Sequence, residues 1–253
     1  MQRMKNNTEY EYIAEGQLFH GSVPRVMGTR LEMLFIGASQ DQAVMIWDRL
    51  LDVVFSLDRR LNRFDAESEV SQLNMYDNPL QMPMSQELES IVALCEQYKE
   101  KTCGLFDVVD SQGKLDFGGF GKGYFLMKCN EILRGNGIHC AFVDFGSSSI
   151  LGVGHHPYGD SWQVGVVNPF THRTMATLDI CDKSLSTSGN TPSYDGHIRN
   201  PHTGEVCSGN RLVSVISENP LDAEVLSTTL MIADEQQRDI IQKNFPDADI
   251  RLF

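Results

Sequence analysis

Four glycines surround one lysine between residues 115 and 124, where an apolar, strand-like run gives way to a helix. The glycines are Gly118, Gly119, Gly121 and Gly123, and the lysine is Lys122. Glycine lets the backbone approach a ligand closely, and N–H groups at a helix start, with a lysine beside them, bind phosphate oxygens. Apolar residues at helical spacing predict that the helix runs from about Tyr124 to Arg134.

This segment matches neither of two familiar phosphate-binding motifs. A Walker-type loop requires Gly, four residues and then Gly-Lys-Ser/Thr, but Asp116 stands at the first position and Gly123 follows the lysine. A dinucleotide-binding Gly-x-Gly-x-x-Gly motif that starts at Gly119 would end at Tyr124. The segment alone is therefore compatible with a phosphate site or with a tight turn that carries a solvated lysine.

Composition restricts the possible partners. The 253 residues include 41% hydrophobic and 22% charged residues, as in an ordinary soluble globule, with a net charge of -13. That charge argues against a nucleic-acid or anionic-membrane surface, so local positive groups or a metal must hold any phosphate ligand. The six cysteines form no Cys-x-x-Cys pair. Because residues 1–16 contain no apolar signal-peptide core and no run is long enough to span a membrane, we expect a cytoplasmic location.

Periodicity predicts an α+β fold with a largely antiparallel sheet, since runs of strands alternate with long helices. Residues 1–24 are expected to be a polar, irregular N-terminal segment, and residues 25–253 a single domain. Strands are predicted at 29–36, 140–145, 150–153, 163–167, 176–180 and 212–217. Helices are predicted from Gln40 to about Leu61, from an N-cap at Ser85 to a chain exit that begins at Cys103, at 222–233 and at 235–244, with a short helical turn that ends near Asn74.

Five separated motifs, read in order, resemble those of the ApbE-like family of FAD:protein FMN transferases. They begin with Met27-Gly28-Thr29 and Asp65-Ala66-Glu67-Ser68-Glu69-Val70-Ser71-Gln72-Leu73-Asn74. The glycine-rich segment Leu115 to Tyr124 follows. Ser186-Thr187-Ser188-Gly189 comes next, with His197-Ile198-Arg199-Asn200-Pro201-His202-Thr203-Gly204 behind it, and Ala223-Glu224-Val225-Leu226-Ser227-Thr228 is last.

The resemblance implies a duplicated α+β arrangement related to the T-fold, with mixed or antiparallel sheets packed against helices. It also implies a Mg²⁺-dependent enzyme that uses FAD as its substrate. Such an enzyme transfers FMN to a threonine or serine of an acceptor protein and releases AMP.

The resemblance also implies roles for individual residues. His197 would be the base, and Glu224 and Thr228 would hold Mg²⁺ through oxygen ligands. Lys122 and the backbone around it would bind the phosphates. The residues expected to contact the nucleotide are Met27, Gly119, Lys122, Gly123, Tyr124, Gly146, Ser147, Ser188, Gly189 and Thr203.

Alternatives remain beside these roles. His197 can be a surface histidine, and Thr228 can bond back to the carbonyls of its own helix. Glu224 stands where the family has Asp. Only residues 110–114 separate the Phe106-Asp107-Val108-Val109 run from the glycine-rich segment, where the family has a longer insert. The chain can therefore also be a relative that binds FAD without catalysis or keeps only the fold, or an FAD pyrophosphatase.

Overall fold

The chain folds into one large sheet with helices on one face, built from segments whose apolar residues follow strand or helix spacing. The computed structural model describes residues 8–192, 196 and 198–253. The strands are β1 (Glu9–Ile13), β2 (Leu18–Val26), β3 (Thr29–Ile36), β4 (Cys140–Phe145), β5 (Ser149–Val153), β6 (Trp162–Val167), β7 (Thr174–Ile180), β8 (Lys183–Gly189), β9 (Leu212–Ser217) and β10 (Asp249–Leu252). The α-helices are α1 (Gln40–Leu61), α2 (Glu69–Leu73), α3 (Gln86–Lys101), α4 (Gly121–Gly135), α5 (Pro220–Ile232) and α6 (Glu235–Asn244).

The main sheet has eight strands in the order β1-β2-β3-β4-β5-β8-β9-β10, and β6 and β7 form a separate two-stranded sheet. Each of the paired neighbours runs antiparallel. The predicted α+β class with an antiparallel sheet is therefore confirmed. Because β5 pairs directly with β8, strands from the two halves of the chain lie next to each other at the centre of the sheet.

Helices α1, α4 and α5 cover one face of this sheet and contact one another in that order. Helix α1 begins at the N-cap Ser39, whose side chain accepts a hydrogen bond from the Gln42 N–H, and it buries an apolar stripe at helical spacing. Helix α5 begins at Asn219 with Pro220 in its first turn and is buried on nearly every side. Since α5 packs against both β8 and β9, its polar residues lie inside the protein.

The β6–β7 hairpin covers the opposite face of the sheet. A second, smaller core forms there, in which Ile150, Leu185 and Ile216 of the main sheet contact Trp162 and Ile180 of the hairpin. The neighbouring Leu151 points to the first face, as expected from the two-residue period of a strand.

Most predicted elements have the expected bounds, but the N-terminal prediction is wrong. Residues 9–13 and 18–26 form β1 and β2 rather than irregular structure, and the expected boundary at residue 24 falls inside β2. Phe19, Gly21 and Val23 alternate into the core, where they are held by pairing with β3. The alternation is hard to recognise because a glycine occupies one of the buried positions and Pro24 follows Val23. Strands β8 and β10 are also additional to the predicted set.

Helix α4 begins three residues earlier than predicted, at Gly121 instead of Tyr124. Lys122 and Gly123 therefore lie in the first turn of the helix and not in a loop before it. In the described part of the chain, none of the helices combines the length and apolar character needed to cross a bilayer.

Candidate functional site

The glycine-rich segment is a tight turn that leads directly into helix α4. The Gly118 N–H donates to Asp116 Oδ1 at 2.9 Å, and Arg63 Nη1 donates to the other carboxylate oxygen at 2.6 Å. The Gly121 N–H donates to the Phe117 carbonyl at 3.0 Å. These bonds fix the start of the helix, because the side chain of its N-cap residue accepts no hydrogen bond from the first turn.

Gly123 permits a close approach between α4 and α5. A methyl group at this position would lie 2.5 Å from Glu224 Cβ and 3.0 Å from the Pro220 carbonyl oxygen. Both atoms belong to, or adjoin, the backbone of α5, so they cannot move aside without shifting that helix. The predicted importance of Gly123 thus has a packing explanation: it brings the acidic residue of α5 beside the lysine of α4.

The side chains of Lys122 and Glu224 form an ion pair, with 3.0 Å between Nζ and Oε1. The Lys122 ammonium also donates to Ser148 Oγ at 2.8 Å and to Ser149 Oγ at 2.7 Å. Ser149 in turn donates to Glu224 Oε2 at 2.6 Å. The Glu224 side chain is 4% exposed and that of Lys122 is 21% exposed, so the lysine is the more accessible partner of the pair.

A chain of hydroxyl groups leads from this ion pair to Thr228. Ser186 Oγ donates to Glu224 Oε2 at 2.9 Å and lies 3.0 Å from Ser227 Oγ. Ser188 Oγ lies 2.9 Å from Ser227 Oγ and 3.1 Å from Thr228 Oγ1. The arrangement follows from two periodicities, because alternate residues of β8 share a face and residues three or four apart on α5 lie together.

Backbone from two other segments borders this cluster. A methyl group at Gly119 would lie 3.4 Å from Thr228 Cγ2 and 3.5 Å from Thr228 Oγ1, so the turn before α4 lies against Thr228. A methyl group at Gly121 would lie 3.5 Å from Met27 Sδ. Met27 has a positive φ of 47° in the β2–β3 turn, and its N–H donates to the buried Asp58.

The structure therefore brings together Lys122, Gly119, Gly123, Ser188, Glu224 and Thr228, with Met27 at the edge. We call this group the lysine–serine cluster and include in it Ser148, Ser149, Ser186 and Ser227. Sequence reasoning did not assign roles to these four serines. Among them, Ser186 had a signal in the sequence, because serines alternate at 184, 186 and 188 and so form one polar face of a strand.

Other predicted residues have contacts elsewhere. The Tyr124 ring stacks on Phe120 at 5.3 Å and has the Lys128 ammonium 5.6 Å from its centroid. Gly146 and Ser147 form the β4–β5 turn with positive φ values of 72° and 60°. The Ser147 N–H donates to Asp144 Oδ1 at 2.6 Å.

Two nucleotide-contact predictions, Gly189 and Thr203, remain. Gly189 packs tightly against Leu212 on the neighbouring strand. Thr203 is exposed, and its hydroxyl donates to Glu205 Oε2 at 3.3 Å in the same loop. His197 lies outside the described residues.

The donor set of the cluster does not fit a resident Mg²⁺ ion. Mg²⁺ prefers carboxylate and other oxygen ligands in octahedral geometry. Both carboxylate oxygens of Glu224 already accept bonds, from Lys122 and two serines, and the hydrogen-bonded path from Glu224 to Thr228 runs through three serine hydroxyls. Across residues 8–192, 196 and 198–253, no three His, Cys, Asp or Glu side chains gather as a metal-binding group.

Comparison with known proteins identifies the family of this chain. The model of the ApbE family matches residues 27–111 and 109–251, nearly the whole chain. The chain belongs to the ApbE family. This membership confirms the resemblance that the five motifs indicated, and the matched ranges contain every residue of the lysine–serine cluster.

One similar protein of this family is the FAD:protein FMN transferase of Klebsiella pneumoniae (strain 342), which is 31% identical over 143 residues. The matched region is 52% of this chain and 42% of that protein, so it spans less than half the length of the relative.

Solved structures of ApbE proteins have the same fold. The flavin transferase ApbE from Vibrio cholerae superposes with a TM-score of 0.76 at 17% identity, over 94% of this chain and 93% of its own. The ApbE protein from Thermotoga maritima gives 0.75 at 18% identity, over 96% and 93%. The apo flavinyl transferase ApbE from Pseudomonas stutzeri gives 0.73 at 19% identity, over 97% and 90%. At these identities the comparison establishes the fold.

Proposed function

We propose that this protein is an FAD:protein FMN transferase, which moves FMN from FAD to a threonine or serine of an acceptor protein and releases AMP. The observation that carries the proposal is the convergence of Lys122, Gly119 and Thr228 on one cluster in a chain of the ApbE family. The name of the Klebsiella relative supports the same activity.

In this reaction the acceptor hydroxyl oxygen forms a bond to the FMN phosphorus. The bond between that phosphorus and the bridging oxygen breaks, and AMP leaves with that oxygen. A base removes the hydroxyl proton, and His197 is the residue we propose for this role because an imidazole titrates near neutral pH. The protein's main task is to position the diphosphate and to stabilise the negative charge on its oxygens.

Lys122 would supply most of the positive charge for that task. Its side chain is the more exposed partner of the ion pair, and the half-buried Ser148 hydroxyl is the partner that a phosphate oxygen would replace. The start of α4 adds the partial positive charge of its N–H groups. Gly119 leaves room beside Thr228, whose hydroxyl would donate to a phosphate oxygen. An anion can thus bind locally although the whole chain carries a charge of -13.

The Mg²⁺ dependence that the resemblance implies stays a prediction. Because Glu224 accepts bonds from Lys122 and two serines, the proposed steps involve groups of the protein and no metal ion. The assays below therefore include one arm with MgCl₂ and one with EDTA.

A second candidate function is FAD binding without transfer. The observation that favours it is the Lys122 ammonium, whose three hydrogen bonds are all made within the protein. If phosphate oxygens do not replace these acceptors, the ammonium does not stabilise the negative charge on the diphosphate in the transition state. The protein then serves as a flavin-binding module.

The test is to incubate the protein with FAD and candidate acceptor proteins, and to follow covalent flavin fluorescence on a denaturing gel and AMP by chromatography. The proposed function predicts a labelled acceptor with equimolar AMP, and loss of both in Lys122→Met but not in Lys128→Met, a lysine six positions later on the same helix. AMP without any acceptor would identify an FAD pyrophosphatase. Bound FAD without AMP would identify the binding module. Absence of FAD binding would identify a relative that keeps only the fold.

A further inference from the structure

The Lys122 ammonium has the surroundings of a bound cation. Three oxygen atoms lie within 3.0 Å of Nζ: Ser148 Oγ, Ser149 Oγ and Glu224 Oε1. An ammonium group has three N–H donors, and each of them has one acceptor here. The group sits at the end of a side chain that enters from the first turn of α4, and the acceptors come from β5, the turn before it and α5.

The carboxylate that faces this ammonium accepts hydrogen bonds on both of its oxygens. Glu224 Oε1 accepts from Lys122, and Oε2 accepts from Ser149 and Ser186. Ser149 and Ser186 are themselves buried, with exposures of 1% and 2%. One carboxylate and one ammonium leave no net charge, so a divalent ion would meet the repulsion of the ammonium without a second carboxylate to offset it.

We propose that the Lys122 ammonium is the built-in cation of this site, in the place that the resemblance gives to Mg²⁺. Glu224 is then a positioning residue for that ammonium and not a metal ligand. The protein without nucleotide has no divalent-ion site at Glu224 and Thr228, and the network of serines around the ion pair is complete without a metal. This inference concerns the free protein and does not depend on the transfer reaction.

Binding of Mn²⁺ to the nucleotide-free full chain tests the proposal, with free Mn²⁺ measured by electron paramagnetic resonance. We expect wild type and Glu224→Gln to bind Mn²⁺ equally weakly. Lys122→Met removes the ammonium and leaves a buried carboxylate among hydroxyls, so it should bind Mn²⁺ more than roughly tenfold more tightly than wild type. The double variant with Glu224→Gln should lose this gain, and Lys128→Met should behave like wild type.

Two results would overturn the proposal. One is Mn²⁺ binding by wild type that Glu224→Gln abolishes, because Glu224 would then be a metal ligand in the presence of Lys122. The other is a folded Lys122→Met protein, as judged by circular dichroism, that gains no Mn²⁺ binding. If Lys122→Met does not fold, the comparison of wild type with Glu224→Gln decides alone. Flavin labelling is measured separately, so failure of this proposal is distinguishable from failure of the transferase function.

Discussion

The substitution Gly123→Ala tests whether close contact between α4 and α5 builds the site. In a helix interior, replacing Gly by Ala by itself stabilises by about 0.5–1 kcal/mol. Here the new methyl group would lie 2.5 Å from Glu224 Cβ and 3.0 Å from the Pro220 carbonyl oxygen. Overpacking of this kind costs about 1–3 kcal/mol, so we expect a net loss of about 1–2 kcal/mol in the free energy of unfolding.

The assay is urea denaturation followed by circular dichroism, with Gly135→Ala as the matched control. Gly135 is the last residue of the same helix, and a methyl group there would have open space around it. The control should be as stable as wild type or slightly more stable. Gly123→Ala should also weaken FAD binding, because it displaces Glu224 and with it the partner of Lys122. Equal urea midpoints for the two variants would refute the packing argument.

Three further predictions concern buried polar groups and one turn. Lys122→Met and Glu224→Gln should each lower the free energy of unfolding by about 3 kcal/mol, because each leaves one charged group without its partner. In a double-mutant cycle measured by urea denaturation, the double variant should lose clearly less stability than the sum of the two single losses. Burial raises the pKa of Asp222, so the folded protein gains a proton at higher pH than the unfolded chain. Wild type should therefore be less stable than Asp222→Asn at neutral pH, and the difference should shrink towards about pH 4, measured by urea denaturation at each pH. Gly146→Ala should cost more than about 1 kcal/mol in the same assay, since φ is 72° and a methyl group would lie 2.6 Å from Thr29 Oγ1.

Local patterns predicted the helices well because their signals lie within a few residues. The apolar stripe of α1 and the cap at Ser85 are examples, and both helices start where expected. Strand β8 was not predicted because its buried residues include serines, whose hydrogen-bond partners lie far away in the sequence. Ser186 has its partner 38 positions away on α5.

The candidate site also depends on contacts between residues that are far apart in the sequence. Motif order placed Lys122, Glu224 and Thr228 in one site, and the structure brings them into one cluster. The pairing of the Lys122 ammonium with the Glu224 carboxylate depends on how closely α4 and α5 approach. That distance is set by the missing side chain at Gly123 together with the fold, so residue types alone did not reveal it.

The most direct test of the account is titration of the protein with FAD by isothermal calorimetry, with FMN as the comparison ligand that lacks the diphosphate. If the diphosphate binds between Lys122 and the Gly119–Thr228 contact, FAD should bind more than roughly tenfold more tightly than FMN. That preference should disappear in Lys122→Met and persist in Lys128→Met. Equal binding of FAD and FMN, or an unchanged preference in Lys122→Met, would contradict the assignment of the diphosphate to this cluster.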